Sequence, residues 1–366
     1  MRRRDFMKKG MVGTAALTSA GCASFGRRKI PITSDMVSEV DFTVTIPKPK
    51  GGTMPMGEIG TTGIKVSRYG FGSHMTQEIL PFTEERKTMI REAYDLGVNF
   101  FDIYEKEWNI YQYEPMGRYL APMINDVVIS TIMVPFDGRT YEQELERTLR
   151  LLGRDYIDMV RLYVDMHLSP GSEQWSYWDK VFKYREQGYI RAVGYAIHYV
   201  EEAEYVIENL PVDFIIFPYN FYHNLLSNGK FSSNYEPFGA RLRKKGIGVV
   251  TMKPFGTDWF VRPLINAAKE LDETGEISLP QAMLRYVINS DLKPDTTLGG
   301  MLNLNHVYED IPACYNPKMT TEEKKLLQKM RKVLHVSADN LMPDYYKFLK
   351  ELAPDTQDDK DLNGVV

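Results

Sequence analysis

Val98-Asn-Phe-Phe-Asp-Ile-Tyr104 is a short apolar run with a carboxylate near its end. Ahead of it, Glu84–Leu96 spaces its apolar residues as a helix does, and Gly97 supplies the stop. Behind it, Glu114-Pro-Met-Gly-Arg-Tyr-Leu120 reads as the start of the next helix. The same strand-like unit recurs along the chain at Tyr69–Gly72, Phe100–Ile103, Val127–Thr131, Met159–Val164, Ala192–Ile197, Phe214–Pro218, Val249–Met252 and Thr296–Leu298. Helical spacing fills the intervals, as in Tyr141–Leu152, Trp175–Gln187, Val200–Glu208 and Glu236–Lys245, with further glycine stops at Gly153, Gly188 and Gly246. Eight strand–helix units in about 250 residues predict an α/β chain closed as a (β/α)8 TIM barrel. A doubly wound sheet would carry Gly-x-Gly-x-x-Gly after its first strand, and none is present.

Two features stand outside the repeat. Met56–Val66 reads as an N-terminal hairpin capping the barrel bottom, and Thr320–Leu334 with Pro343–Leu352 as extra C-terminal helices. The expected organisation is therefore a leader over 1–22, a tether over 23–54, a barrel domain over 55–352 and a tail over 353–366.

With 43% hydrophobic and 26% charged residues the composition is globular. A net charge of −4 gives no electrostatic case for nucleic acid or for an anionic membrane surface. Cys22 and Cys314 are far apart and flank no second thiol, so neither a structural disulfide nor a cysteine-based metal centre is expected. Arg3-Arg4-Asp5-Phe6-Met7-Lys8 resembles a twin-arginine export signal, and the apolar stretch after it is too short to span a bilayer. Ser19-Ala20-Gly21-Cys22 resembles a lipoprotein cleavage box. The expected location is the periplasm or the membrane face of the cell envelope, with a lipid at Cys22 as the membrane contact.

Several short motifs lie in a shared order: Gly63-Ile-Lys-Val-Ser-Arg-Tyr-Gly-Phe-Gly72, Gly97-Val-Asn-Phe-Phe-Asp102, Leu151-Leu-Gly-Arg-Asp-Tyr-Ile-Asp158 and Ile190-Arg-Ala-Val-Gly194. Pro218-Tyr-Asn220, Gly246-Ile-Gly-Val-Val-Thr-Met-Lys-Pro-Phe-Gly256 and Gly299-Gly-Met301 continue it. From Met56 to Ala313 this order resembles the aldo-keto reductases. That resemblance implies hydride transfer from NADP or NAD to a carbonyl, with a Tyr as acid, a Lys lowering its pKa, an Asp holding the Lys and a His orienting the carbonyl. Matched position by position, only Asp102 remains. Glu107 stands for the Tyr, Ile132 for the Lys and Tyr163 for the His. Ala196, Ile197 and Ile216 stand where the family holds the nicotinamide amide, and Gly300-Met-Leu-Asn-Leu-Asn305 has no cation for an adenosine phosphate. Tyr219, Asn220, Lys253, Gly299 and Gly300 are the cofactor-side positions that the resemblance retains. Ordinary NADPH-dependent reduction is not expected.

Residues an even number apart on a strand share a face. If Tyr163 points inward, so does Arg161, and a buried guanidinium needs a counter-charge. Asp102, without its Lys, is that counter-charge, which predicts an Asp102–Arg161 ion pair. Tyr104 and Tyr111 are alternative acids, and Glu105, Asp165, His167, His198 and His223 are further rim candidates. Aromatic density around the mouth (Tyr104, Trp108, Tyr195, Tyr219, Phe221, Trp259 among others) suits sugar rings or simply fills a large barrel. Two main readings stay open beside a third, ordinary reduction with Tyr104 or Tyr111 as the acid. One is a divergent oxidoreductase-related enzyme acting on a sugar, polyol or carbonyl compound through Asp102, Glu107, Tyr163, Arg161 and Tyr104. The other is a non-catalytic carbohydrate-binding or structural lipoprotein.

Overall fold

The structure is a computed structural model, which describes residues 43–72, 83–105, 111–133, 135, 137–163, 173–196, 200–221, 235–256, 268–269 and 271–330. Strands β3 (Tyr69–Gly72), β4 (Phe100–Asp102), β5 (Val128–Thr131), β6 (Ile157–Tyr163), β7 (Ile190–Ala196), β8 (Phe214–Pro218), β9 (Gly248–Met252) and β10 (Thr296–Gly300) form a closed barrel. All neighbours are parallel, and β10 closes on β3 with Leu298 opposite Gly70. The helices are α1 (Glu84–Asp95), α2 (Tyr113–Leu120), α3 (Tyr141–Leu152), α4 (Glu173–Glu186), α5 (Val200–Asn209), α6 (Tyr235–Lys244), α7 (Leu279–Asn289), α8 (Leu304–Asp310) and α9 (Pro312–Tyr315), followed by a helical run over 321–330. The TIM barrel expected from the eightfold alternation is what the chain forms.

Local chemistry sets the helix ends. Thr140 and Gln143 make a reciprocal capping box at the start of α3, and Gly153 ends it with φ 68°, a left-handed turn that costs glycine nothing. Thr83 and Ser278 cap α1 and α7 one way only, their side chains accepting from Arg86 N and Gln281 N.

The expected hairpin is present. Antiparallel β1 (Met56–Glu58) and β2 (Lys65–Ser67) pair Met56 with Ser67. Its Ile59, Ile64 and Val66 join Phe100, Val128, Met159, Phe214, Ile216, Val250 and Leu298 in one buried cluster, so the hairpin plugs the barrel floor. A second cluster packs the strands' outer faces against α1, α2, α7 and α8.

The N-terminal rim is stitched by a repeated device. Asn99 accepts from Ser67 N at 2.6 Å, Asp158 from Ile129 N at 3.0 Å, and Asp213 and Asp295 from Val193 N and Val249 N at 2.8 Å. Each acceptor lies at the head of an even-numbered barrel strand and reaches back to an earlier segment, Asn99 to the last residue of β2 and the other three to β5, β7 and β9. Asp158 also receives Arg154 and Arg191, whose guanidinium groups flank the Tyr156 ring.

The end of the expected tether is laid on the barrel. Asn305 Oδ1 accepts from Thr45 N and Ile46 N at 2.8 and 2.9 Å, and its Nδ2 donates to Thr43 O. Lys48 pairs with Glu92, and Met54 enters the outer core. Residues 43–54 are thus a strap, because Asn305 offers them the pairing that a neighbouring strand would. The leader, Pro343–Leu352 and the tail lie outside the described residues.

Candidate active site at the barrel mouth

Asp102 ends β4 and Arg161 lies two residues before the end of β6. Both stand one inward-facing step above the plug residues Phe100 and Met159, which is what strand parity requires. Arg161 Nε donates to Asp102 Oδ1 at 2.9 Å and Nη2 to Oδ2 at 2.5 Å, a two-pronged pair in which Arg161 is 6% and Asp102 4% exposed. The expected ion pair is formed. The Tyr104 ring, 7% exposed, lies against the guanidinium with Cζ 4.9 Å from the ring centre. Arg161 is opposite Gly194 on β7, so the neighbouring strand places no side chain in its way.

Glu105, a rim candidate, is buried. Its Oε1 accepts from Gln112 N and Tyr113 N at 2.8 and 2.9 Å, which caps α2, and Oε2 accepts from Arg147 of α3 at 2.5 Å. Just before that cap, Tyr111 is held at φ 66°, a strained geometry for a bulky side chain. Glu144 continues the ionic chain from Arg147 to Arg139, and burial raises its carboxyl pKa. The signal for Arg147 in the sequence was only a cation on a helix facing the strand ends.

Ile132, in the Lys position, is buried, and Tyr113 reaches the same place. Its hydroxyl donates to Ile132 O at 2.7 Å and lies 2.8 Å from Thr131 Oγ1. Burial, then Glu105, pushes the Tyr113 phenol upward, away from acid catalysis near neutral pH.

The cofactor-side candidates are occupied by the fold. The Tyr219 ring stacks on Tyr286 of α7 with centres 6.0 Å apart, and Phe221 meets the same ring edge-on. Buried Asn220 donates to the carbonyl of Lys253, which is held at φ 56°. A Cβ on Gly299 would fall 2.0 Å from the Tyr69 hydroxyl, so that glycine serves the Tyr69–Asp310 hydrogen bond; Gly300 has open space around its Cα. Ala196 and Ile216 are buried and carry no side-chain hydrogen-bonding atom for a nicotinamide amide. Asn305, at the adenosine end, is engaged by the strap. These residues do not fit a dinucleotide clamp of the family type.

One aromatic placed at the mouth by sequence lies elsewhere: Tyr195 stacks on Trp178 of α4, 5.5 Å away. Strand parity accounts for Tyr195, whose neighbours Gly194 and Ala196 face the other way. Tyr163 ends β6. Glu107, Asp165, His167, His198 and His223 lie outside the described residues, and among the described residues no group of acidic, His or Cys side chains is arranged to hold a metal.

Comparison with known proteins agrees with the barrel. Residues 70–332 match the model of the Aldo/keto reductase family. L-galactose dehydrogenase of Arabidopsis thaliana is 25% identical over 211 residues, 54% of this chain and 64% of that protein. The "Probable voltage-gated potassium channel subunit beta" of Oryza sativa subsp. japonica is 26% identical over 211 residues, 54% of this chain and 63% of that protein. The chain thus spans a little under two thirds of the length of each. Among solved structures, an aldo-keto reductase from Bacillus halodurans superposes with a TM-score of 0.57 at 18% identity, covering 76% of this chain and 96% of that one. With the family model matching well over half its length, the chain belongs to the aldo/keto reductase family.

Proposed function

We propose that this chain is an exported family member whose mouth takes a small sugar, polyol or carbonyl compound and acts on it through the Asp102–Arg161–Tyr104 cluster. The observation that carries this reading is the two-pronged Arg161–Asp102 pair with Tyr104 on the guanidinium. A guanidinium fixed in this way is a preorganised cation at the floor of a barrel mouth, where it can polarise a carbonyl oxygen without reorganising. The relatives favour oxidoreductase chemistry, because one of them is named a dehydrogenase. The clamp positions argue against the ordinary tyrosine–lysine route, and no step here passes through a dinucleotide.

The test uses the mature protein. NADPH and NADH are titrated by fluorescence, a sugar and aldehyde panel is screened by thermal shift, and turnover is followed on whatever binds. Sugar or aldehyde binding that Arg161→Met abolishes supports the reading. Tight NADPH binding with carbonyl turnover unaffected by Arg161→Met sinks it. A second reading, a binder without turnover, draws on apolar Ile132, Ala196 and Ile216, and is separated by the turnover arm. Export from the Arg3-Arg4 leader is part of the proposal and is read by fractionating cells that express the full chain.

A further inference from the structure

β10 ends on two glycines that are there for different reasons. At Gly299 a side chain would collide with the Tyr69 hydroxyl, so the fold itself demands glycine. Gly300 has no such neighbour: among the described residues nothing lies within 4 Å of a Cβ built on it. Its φ is also outside the left-handed range that favours glycine. Of the glycines in the described strands and helices, it is the one with neither constraint. Gly300 is exposed, so the space beside it is open to solvent. Glycine weakens a strand and is used where a ligand or another backbone comes close. Here no backbone does.

That space lies inside the mouth. Leu298, two residues earlier on β10, belongs to the floor cluster, so strand parity turns position 300 inward one step above it. Gly300 pairs with Gly72 on β3, and Gly72 pairs with Asp102 on β4. Gly72 faces inward too, because a Cβ on Gly70 would meet Phe100 and Leu298 of the floor. Two successive strands therefore bring no side chain to the level of Asp102. Two strand spacings are about 10 Å, room for one small ring or a short chain beside the Asp102–Arg161 pair. Leu298 and its neighbour Met252 on β9, which is partly buried, give the hollow an apolar floor. From the other side Arg161 reaches Asp102 across β5 and spends Nε and Nη2 on the carboxylate. Its Nη1 makes no hydrogen bond among the described residues.

We propose that the hollow between Gly300 and Asp102 is the subsite for the body of an uncharged sugar or polyol, with Gly300 as a specificity-determining position. One ligand oxygen meets the Asp102–Arg161 pair, and the carbon skeleton lies over Leu298 and Met252. This rests on the proposed reading that the mouth binds a small hydroxylated compound, and it narrows that compound to a neutral one. Charge makes the selection. Asp102 and Arg161 cancel, Glu105 is matched by Arg147, and Gly300, Gly72, Leu298 and Met252 contribute none. A carboxylate or a phosphate in the hollow would find its nearest guanidinium already committed to Asp102.

The experiment measures binding of D-glucose, sorbitol, sodium gluconate and NADPH by titration calorimetry. It compares the full chain with Gly300→Ala, Gly300→Leu and Arg161→Met. Because nothing crowds Gly300, both of its variants should unfold at the urea midpoint of wild type. The expected result is glucose or sorbitol binding weakened at least tenfold by Gly300→Leu, which fills the hollow, and less by Gly300→Ala. Gluconate should bind at least tenfold more weakly than sorbitol. Neutral-ligand binding that Gly300→Leu leaves intact overturns the subsite, and its loss in Arg161→Met then leaves the parent reading standing. Gluconate binding as tight as sorbitol overturns the choice of a neutral ligand. NADPH binding that Gly300→Leu abolishes gives the hollow to a dinucleotide and overturns the proposal as well. If neither glucose nor sorbitol binds, the subsite falls, and the aldehyde panel alone decides the parent reading. Should Gly300→Leu fail to fold, hydrogen exchange of the wild-type peptide over 296–303 is followed with and without sorbitol. Slowing supports the subsite, and equal rates overturn it.

Discussion

Breaking the Asp102–Arg161 pair one side at a time tests whether the two charges compensate each other. Asp102→Leu leaves a guanidinium that is 6% exposed facing apolar Phe100 and Met159 below it, with Tyr104 as its remaining cation–π partner. Arg161→Met leaves a carboxylate that is 4% exposed without its two N–H donors. Removing one partner of a buried pair typically costs about 3–5 kcal/mol, because the other charge stays behind uncompensated. The Tyr104 contact is present before and after Asp102→Leu and cancels, so the two single changes should cost about the same. The double variant Asp102→Leu/Arg161→Met leaves no charge and roughly similar volume, and should cost less than either single change. Urea unfolding followed by tryptophan fluorescence measures all three, with an unchanged m-value needed for the comparison. Additive single costs, or single costs below about 1 kcal/mol, would refute the reasoning.

Gly299→Ala drives a methyl onto the Tyr69 hydroxyl and should cost about 1–3 kcal/mol, whereas Gly300→Ala, with open space, should stay within about 0.5 kcal/mol of wild type in the same urea assay. Asn305→Ala removes the acceptor shared by Thr45 and Ile46, so their amides should exchange about tenfold faster while barrel amides keep their rates. Asp310 is fully buried and its carboxyl pKa is raised well above the usual range by desolvation, with the Tyr69 hydroxyl opposing. The native state therefore binds a proton that the unfolded state releases above its ordinary pKa, and stability falls as pH rises from there toward the native value. Asp310→Asn should flatten that slope, so its stability relative to wild type improves between pH 5 and pH 8; an unchanged difference across that range refutes a protonated Asp310.

Most of the barrel was legible because its signals are local and repeated. Alternating apolar runs and glycine stops placed β3, β8 and α3 at the ends observed, since Gly153 and the Thr140 cap act within a few residues. The Asp102–Arg161 pair was legible because it needs only strand parity and the cost of a buried charge. The strap was not, because Asn305 binds Thr43, Thr45 and Ile46 across about 260 positions, and nothing in Asn305's own neighbourhood shows that its amide is used. The outward turn of Tyr195 was available from the same parity that turned Arg161 inward. Glu105 was visible as a rim carboxylate, but its role as a cap depends on Arg147 of another helix and on the unusual Tyr111 backbone.

The energetics of the pair bear on why the mouth is built as it is. With Ile132 in the Lys position, the cheapest repair of an orphaned Asp102 is an apolar residue at 102, since replacing buried ion pairs with well-packed hydrophobic groups is often neutral or stabilising. The chain instead keeps the carboxylate, places Arg161 two residues from the end of β6, and leaves Gly194 beside it without a side chain. It then spends a second buried pair, Glu105–Arg147, on holding the start of α2 beside Tyr104. Two buried carboxylates three residues apart, at and just past the end of β4, each tied to an arginine, are a poor way to gain stability. They are an effective way to hold an oriented cation in a place that water does not reorganise, and that is the property a polar substrate uses.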